Sequence, residues 1–226
     1  MTPPHPLTIA HRAGNQLHRL GEAIAAAVDY VEADLWLYRG RLEVRHEKTA
    51  GPLPLLWDRW SLKPSWTPRL GFEEILDAVG DGGRLLLDLK GRDGELAEAV
   101  AKTLERAGAV DSVAFTSGTW WHLDRLSELL PGVPRFYTIG RRRRLAALRP
   151  RLERGEIAEV SIDSRILTAE IVTELGRTGV ETVITWAVET PERAREVLAW
   201  GVSGITSDTL ALLVSVRDGR ISASGG

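Results

Sequence analysis

EVSIDSRILTAEIVTELGRTGVETVITWAVETPERAREVLAWGVSGIT, residues 159–206, is the stretch that decides the fold. Three short apolar runs, Glu159–Ile162, Thr182–Trp186 and Gly204–Thr206, alternate in it with two stretches of helical periodicity, Ala169–Thr178 and Pro191–Ala199. The run TVITW is apolar nearly throughout, as is LLLDL at 85–89. That is the composition of parallel strands covered on both faces. Helix starts are signalled as well: Thr190-Pro191 sets proline just inside one helix, and Thr168 can cap the other.

The same rhythm extends outward over the chain. It predicts strands at Leu7–Ala10, Tyr30–Leu37, Arg84–Leu89, Ser112–Thr116 and Arg135–Ile139. Helices are expected at Leu17–Val28, Gly71–Val79, Gly94–Ala107, Thr119–Leu130, Leu145–Arg154 and Leu210–Val216. Arg39-Gly40-Arg41 turns the second strand into a short extended run, Leu42–Arg45, and a Pro- and Trp-rich irregular segment fills Gly51–Pro68. Eight βα units in 226 residues predict a (β/α)8 TIM barrel, of the α/β class. The expectation is one domain over 1–226, with a small β-hairpin and loop insertion after strand two (51–68, at the mouth) and a disordered tail at 222–226. A doubly wound sheet is the alternative, but no Gly-rich phosphate turn follows the first strand.

Lys plus Arg number 29 against 31 Asp plus Glu, a net charge of −2. Such a balance gives no whole-protein field to hold nucleic acid or an anionic membrane. Hydrophobic residues at 43% and charged residues at 27% describe an ordinary globular chain. The absence of cysteine removes disulfides, thiolate metal sites and cysteine nucleophiles, so any metal must be held by oxygen or imidazole. No apolar run approaches the roughly 20 residues of a membrane span, and Met1–Ala10 does not read as a signal peptide. A cytoplasmic protein without stable membrane insertion is expected.

In such a barrel, polar residues at the carboxyl ends of strands point into the mouth. Strand one ends in His11-Arg12. Strand two carries Glu32 and Asp34, two apart and therefore on one face. The hairpin ends in His46-Glu47, and strand three carries Asp88 and Lys90. Glu32, Asp34 and Asp88 can supply hard oxygen ligands to one divalent cation, Mg²⁺ or Ca²⁺. Arg12 and Lys90 offer fixed positive charge to a phosphoryl group. His11 and His46 can exchange protons near neutral pH. Together these are the parts of metal-assisted phosphodiester cleavage. The bland readings are a solvated Glu-x-Asp edge, an Asp88–Lys90 structural ion pair and satisfied core histidines. Against them, the acid pair sits among apolar neighbours in VEADLW, and the chain has few lysines. His5, His18 and His122 look like terminus or helix residues without partners, and Asp208 reads as a helix cap.

The motifs IAHRAGN (9–15), VEADLWL (31–37), VRHEKT (44–49), LLLDLKG (85–91), VITWAV (183–188) and GITSDTL (204–210) occur in this order. In them, and in TPRLGFEEILDAV at 67–79, the chain resembles the glycerophosphodiester phosphodiesterases, metal-dependent TIM-barrel enzymes related to sphingomyelinase D. The resemblance implies that His11 and His46 are the acid–base pair, that Arg12 and Lys90 bind phosphate, and that Trp186 lines the pocket. It implies Glu32, Asp34 and Asp88 as metal ligands, and products of glycerol 3-phosphate and an alcohol. Departures from the pattern are His-Arg-Ala-Gly for His-Arg-Gly, His-Glu for His-Asp, and Asp88 where most members have Glu. The Glu-Asn-Thr stretch is also missing, with Gly14-Asn15-Gln16 in its place.

Two other functions fit the same residues. One is a lysophospholipase D-like activity on single-chain phospholipids, favoured by Leu53–Trp66 with Trp57, Trp60 and Trp66 near the mouth. The other is an inactive barrel that binds a phosphate ligand. Arg141–Arg144, after strand five, could attract an anionic substrate or a lipid surface, or could be a solvated helix start.

Overall fold

A computed structural model describes residues 5–49, 53, 55–58 and 61–223. In chain order its strands are β1 (Leu7–Ala10), β2 (Tyr30–Tyr38), β3 (Arg41–Val44), β4 (Lys48–Thr49), β5 (Leu55–Asp58), β6 (Ser61–Pro64) and β7 (Leu70–Gly71). They continue with β8 (Leu85–Leu89), β9 (Val113–Ser117), β10 (Arg135–Ile139), β11 (Glu159–Asp163), β12 (Thr182–Trp186) and β13 (Gly204–Ser207). The helices are α1 (Leu17–Ala25), α2 (Phe72–Val79), α3 (Leu96–Ala107), α4 (Trp120–Leu129), α5 (Arg142–Glu153), α6 (Ala169–Arg177), α7 (Pro191–Ala199) and α8 (Leu210–Arg217).

β1, β2 and β8 to β13 run parallel, and β1 pairs with both β2 and β13, so the sheet closes on itself. Helices alternate with these strands, giving the (β/α)8 barrel that the alternation predicts. Thr168 and Thr190 cap α6 and α7 as expected, each accepting a backbone N–H from three residues on. α5 begins at Arg142 rather than Leu145, because Arg141 takes the extended capping position and the arginines after it are helical.

The excursion after β2 is more ordered than its Pro- and Trp-rich composition suggests. β3 folds back antiparallel on the end of β2, β7 pairs with β3, and β4, β5 and β6 make a separate antiparallel sheet. The irregular segment expected at Gly51–Pro68 therefore contains a hairpin, with Pro64 on an edge strand where its missing N–H costs no ladder bond. Residues 51, 52, 54, 59, 60 and 224–226 lie outside the described residues, and with them part of that insertion, Trp60 and most of the expected tail.

Two apolar bodies hold the barrel. The larger packs the outer strand faces, such as Leu35, Leu87 and Ile162, against the helices through Leu20, Ile75, Leu104 and Val197. The smaller fills the lumen with Ile9, Tyr30, Leu86, Ala114, Phe136 and Ile184. Each fully buried aliphatic of this kind contributes about 1.5–3 kcal/mol. The lumen plug also gives the polar residues above it a dry floor.

Candidate active site

The strand register brings the acids together. Glu32 and Asp34 share the lumen face of β2, and Asp34 is the direct neighbour of Asp88 across β2 and β8. One oxygen from each of Glu32, Asp34 and Asp88 lies within 4.8 Å of the other two. The turn after β1 clamps two of them: the Arg12 backbone N–H donates to Glu32 Oε2 (2.6 Å). Asn15 donates through Nδ2 to Asp34 Oδ2 (2.7 Å) and accepts the Asp34 N–H at Oδ1 (2.9 Å). The turn comes this close because Gly14 lies against β2, where a Cβ would stand 2.7 Å from the Ala33 Cβ. Lys90 Nζ is 2.8 Å from Asp34 Oδ1 and also bonds Asp88. Arg12 Nε approaches Asp34 Oδ2 at 3.9 Å.

Burial and the neighbouring Asp34 charge push the Glu32 pKa well above the ordinary carboxylate value. Burial raises Asp88 too, against the opposing effect of Lys90. Burial would likewise raise Asp34, but Lys90, His46 and Asn15 outweigh it and hold this acid ionised far below the usual range. For Lys90, burial disfavours the charge and loses to Asp88, Asp34 and Glu32, so its pKa is raised. Three carboxyl groups thus face one half-buried ammonium, and the cluster is short of positive charge. An all-oxygen donor set with that deficit fits a hard divalent cation.

The two histidines reach this cluster from different sides. His11 Nδ1 lies 3.2 Å from Asp208 Oδ1, which leaves Nε2 as the ring atom turned away from Asp208. Asp208 is consequently no helix cap: Thr209 holds the capping position of α8, and Asp208 orients His11. The hydrogen bond to His11 is the main cause of the lowered Asp208 pKa. Glu189 braces that loop, accepting from the Asp208 backbone N–H (3.1 Å) and from the hydroxyls of Ser207 (3.0 Å) and Thr209 (3.2 Å). His46 Nδ1 lies 3.2 Å from Asp34 Oδ2, and its Nε2 is 3.5 Å from Asp58 Oδ1 on β5.

A cavity of about 320 Å³ is lined by His11, Arg12, the three acids, Lys90 and Trp186. His46 lines an adjoining cavity of about 430 Å³ that shares Arg12 as a wall. All eight candidate residues therefore gather at the mouth, with His46 at its margin beside the excursion. Elsewhere, His5 has a partner after all, Asp29 at 3.7 Å, and His122 is fully buried in α4.

Sequence reasoning missed Asn15, Asp58 and Glu189, and misassigned Asp208. Asn15 stood in view where the Glu-Asn-Thr stretch is missing, and its contacts depend on the turn folding back on β2. Asp58 is delivered by a hairpin that the apolar alternation does not announce. Glu189 carries no motif of its own.

No known family model matches the sequence, and a search of curated proteins finds no match. Solved structures do match in fold. An Oleispira antarctica phosphodiesterase in complex with the product sn-glycerol-3-phosphate superposes with a TM-score of 0.79 at 20% identity, covering 95% of this chain and 97% of that one. A glycerophosphodiester phosphodiesterase from Parabacteroides distasonis gives a TM-score of 0.73 at 20% identity, with 95% and 97% covered. At these identities the likeness establishes the barrel fold; any likeness of activity has to come from the site.

Proposed function

We propose that this chain is a glycerophosphodiester phosphodiesterase, hydrolysing its substrate to glycerol 3-phosphate and an alcohol. One observation carries the reading: Glu32, Asp34, Asp88 and Lys90 converge in the barrel mouth between His11, held by Asp208, and His46, held by Asp34. The fold shared with the phosphodiesterase solved with sn-glycerol-3-phosphate supports it.

Glu32, Asp34 and Asp88 would hold one divalent cation, Mg²⁺ or Ca²⁺, which when bound supplies Lewis-acid stabilisation of charge growing on a phosphate oxygen. Arg12, with a side chain 40% exposed at the cavity edge, and Lys90 bind the remaining phosphate oxygens. One histidine removes the proton from the attacking oxygen while the other protonates the leaving alkoxide. His11 works through Nε2, since Asp208 engages Nδ1. His46 works at Nε2 by exchanging its contact with Asp58 for the substrate, Nδ1 remaining on Asp34. Trp186, half-buried at the end of β12, presents an apolar wall to the glycerol carbons.

The direct test is release of glycerol 3-phosphate from glycerophosphocholine by the full chain, with EDTA and then with added Mg²⁺ or Ca²⁺. Turnover that stops with EDTA and returns with the cation is expected. A folded, cation-loaded protein that binds glycerol 3-phosphate yet releases none from the diester would identify an inactive binding barrel. The apolar outer face of the β5–β6 hairpin favours a second reading, cleavage of a single-chain phospholipid, which the same assay with a lysophospholipid distinguishes.

A further inference from the structure

Among the described residues the exposed large apolar side chains are Leu17, Leu53, Trp57, Leu62, Trp66 and Trp121. All belong to one end of the barrel. Leu17 opens α1 and Trp121 lies in the first turn of α4, and these helices begin where β1 and β9 end. The other four lie in the excursion that carries His46 and walls the cavity next to Arg12.

The small sheet β4–β5–β6 shows that this exposure is patterned. Directly opposed residues in an antiparallel pair point to the same side, and Trp57 is opposed by both Leu62 and Lys48. Leu56 and Lys63, opposed to each other, point the other way into the cavity shared with Arg12 and His46. Leu56 is 2% exposed, whereas Trp57 is 44% and Leu62 65% exposed. The sheet therefore sets Lys63 on the cavity side and Trp57 and Leu62 on the outer side, where Lys48 lies over the Trp57 ring at 5.3 Å. Trp66, two residues beyond β6, is 73% exposed.

Positive charge sits at the same end. Arg141, Arg142 and Arg143 are exposed at the start of α5, which follows β10, and no acid occupies that first turn. None of the three forms an ion pair among the described residues. Cations there oppose the helix dipole, so helix stability does not account for them. Arg144 stays back, stacked on Trp120 at 4.1 Å.

We propose that this end of the barrel docks on an anionic phospholipid bilayer, with Trp57, Leu62 and Trp66 entering the headgroup region and Arg141–Arg143 facing the lipid phosphates. Tryptophan and arginine suit that interface because each joins an apolar or weakly hydrated body to a polar end. A two-fold dimer through this face would instead bring unpaired arginines towards their own copies. The overall charge of −2 does not oppose docking, because Arg141–Arg143 are exposed together at one helix start and a local cluster acts within a Debye length of the surface. The inference goes beyond the phosphodiesterase reading, and its test needs no turnover.

The experiment is flotation of the full chain with vesicles of phosphatidylcholine alone or mixed with phosphatidylglycerol, at low and high salt. Binding is expected to the mixed vesicles only, and to weaken with salt. Each arginine is worth about fivefold in partitioning, so Arg142→Glu with Arg143→Glu should lower binding by more than about tenfold. Trp57→Ser with Leu62→Ser should lower it at every salt concentration. Unchanged thermal melting shows that the variants are folded. Failure of the wild-type protein to float with mixed vesicles, or equal binding by both double variants, overturns the proposal. So does a dimer in sedimentation velocity that Trp57→Ser and Leu62→Ser abolish, which would assign the face to a second copy.

Discussion

Asp34 is the side chain on which most of the site's geometry converges. It accepts Asn15 on one oxygen, meets Lys90 at 2.8 Å on the other, and holds His46 at 3.2 Å. Its neighbours are thus fixed by a charge that burial alone would have neutralised. His11 and His46 differ in how they are held, yet both belong to the same proposed reaction. Each positioned proton-transfer group contributes on the order of 10²–10⁴-fold in rate. His11→Asn or His46→Gln should therefore cut kcat by that order while leaving the melting temperature near wild type. Because the two act in one reaction, the double variant should cost less than the product of the singles. A single variant that melts early but turns over normally would make that histidine a packing residue.

At the scale of elements, the turn between β1 and α1 transmits sequence into chemistry. Gly14 lies where an added Cβ would be 2.7 Å from the Ala33 Cβ and 3.0 Å from the Glu32 carbonyl oxygen. Gly14→Ala should therefore lift the turn from β2, at about 1–3 kcal/mol, and loosen the Arg12–Glu32 and Asn15–Asp34 bonds together. Thermal melting would show the loss, and turnover should fall beyond what the lost stability explains. α4 carries a second consequence. Burial holds the pKa of His122 below its ordinary 6.5, so the unfolded chain takes up a proton there before the folded one does. Its contribution to stability is present above about pH 6.5 and is lost as the pH falls. His122→Leu should flatten the decline in melting temperature between about pH 7 and pH 5, and an unchanged slope would place the acid sensitivity elsewhere. The strands were legible because buried parallel strands are written as apolar runs, and Arg135–Ile139 and Thr182–Trp186 fall where those runs predict. Seven of the eight candidate residues were legible because strand and hairpin ends and period-two spacing mark the mouth, whereas Trp186 followed only from the family resemblance. Asp58 and Asp208 were not, since each acts through a contact between elements that local pattern does not encode.

For the whole molecule, the proposed cation links stability to function. Glu32 and Asp34 come from β2 and Asp88 from β8, strands adjacent in the barrel but separated in sequence by the entire excursion and α2. Unfolding separates these ligands, so a cation that binds them stabilises the native state alone. At a free concentration 100 times its dissociation constant, that linkage is worth about 2.7 kcal/mol. In a domain of this size the corresponding rise in melting temperature is roughly 5–10 °C. Protein stripped with EDTA should therefore melt lower and recover when Mg²⁺ or Ca²⁺ is restored. Asp88→Asn removes one anionic donor and leaves a neutral side chain beside Lys90, so it should keep the fold and shrink the cation-dependent shift. Arg142→Glu with Arg143→Glu, on the rim at α5, should leave the shift intact. The two variants thereby separate binding at the carboxylate cluster from a general effect of salt on the charged mouth. If the cation raises the melting temperature of Asp88→Asn as much as that of wild type, it binds elsewhere and the ligand assignment fails.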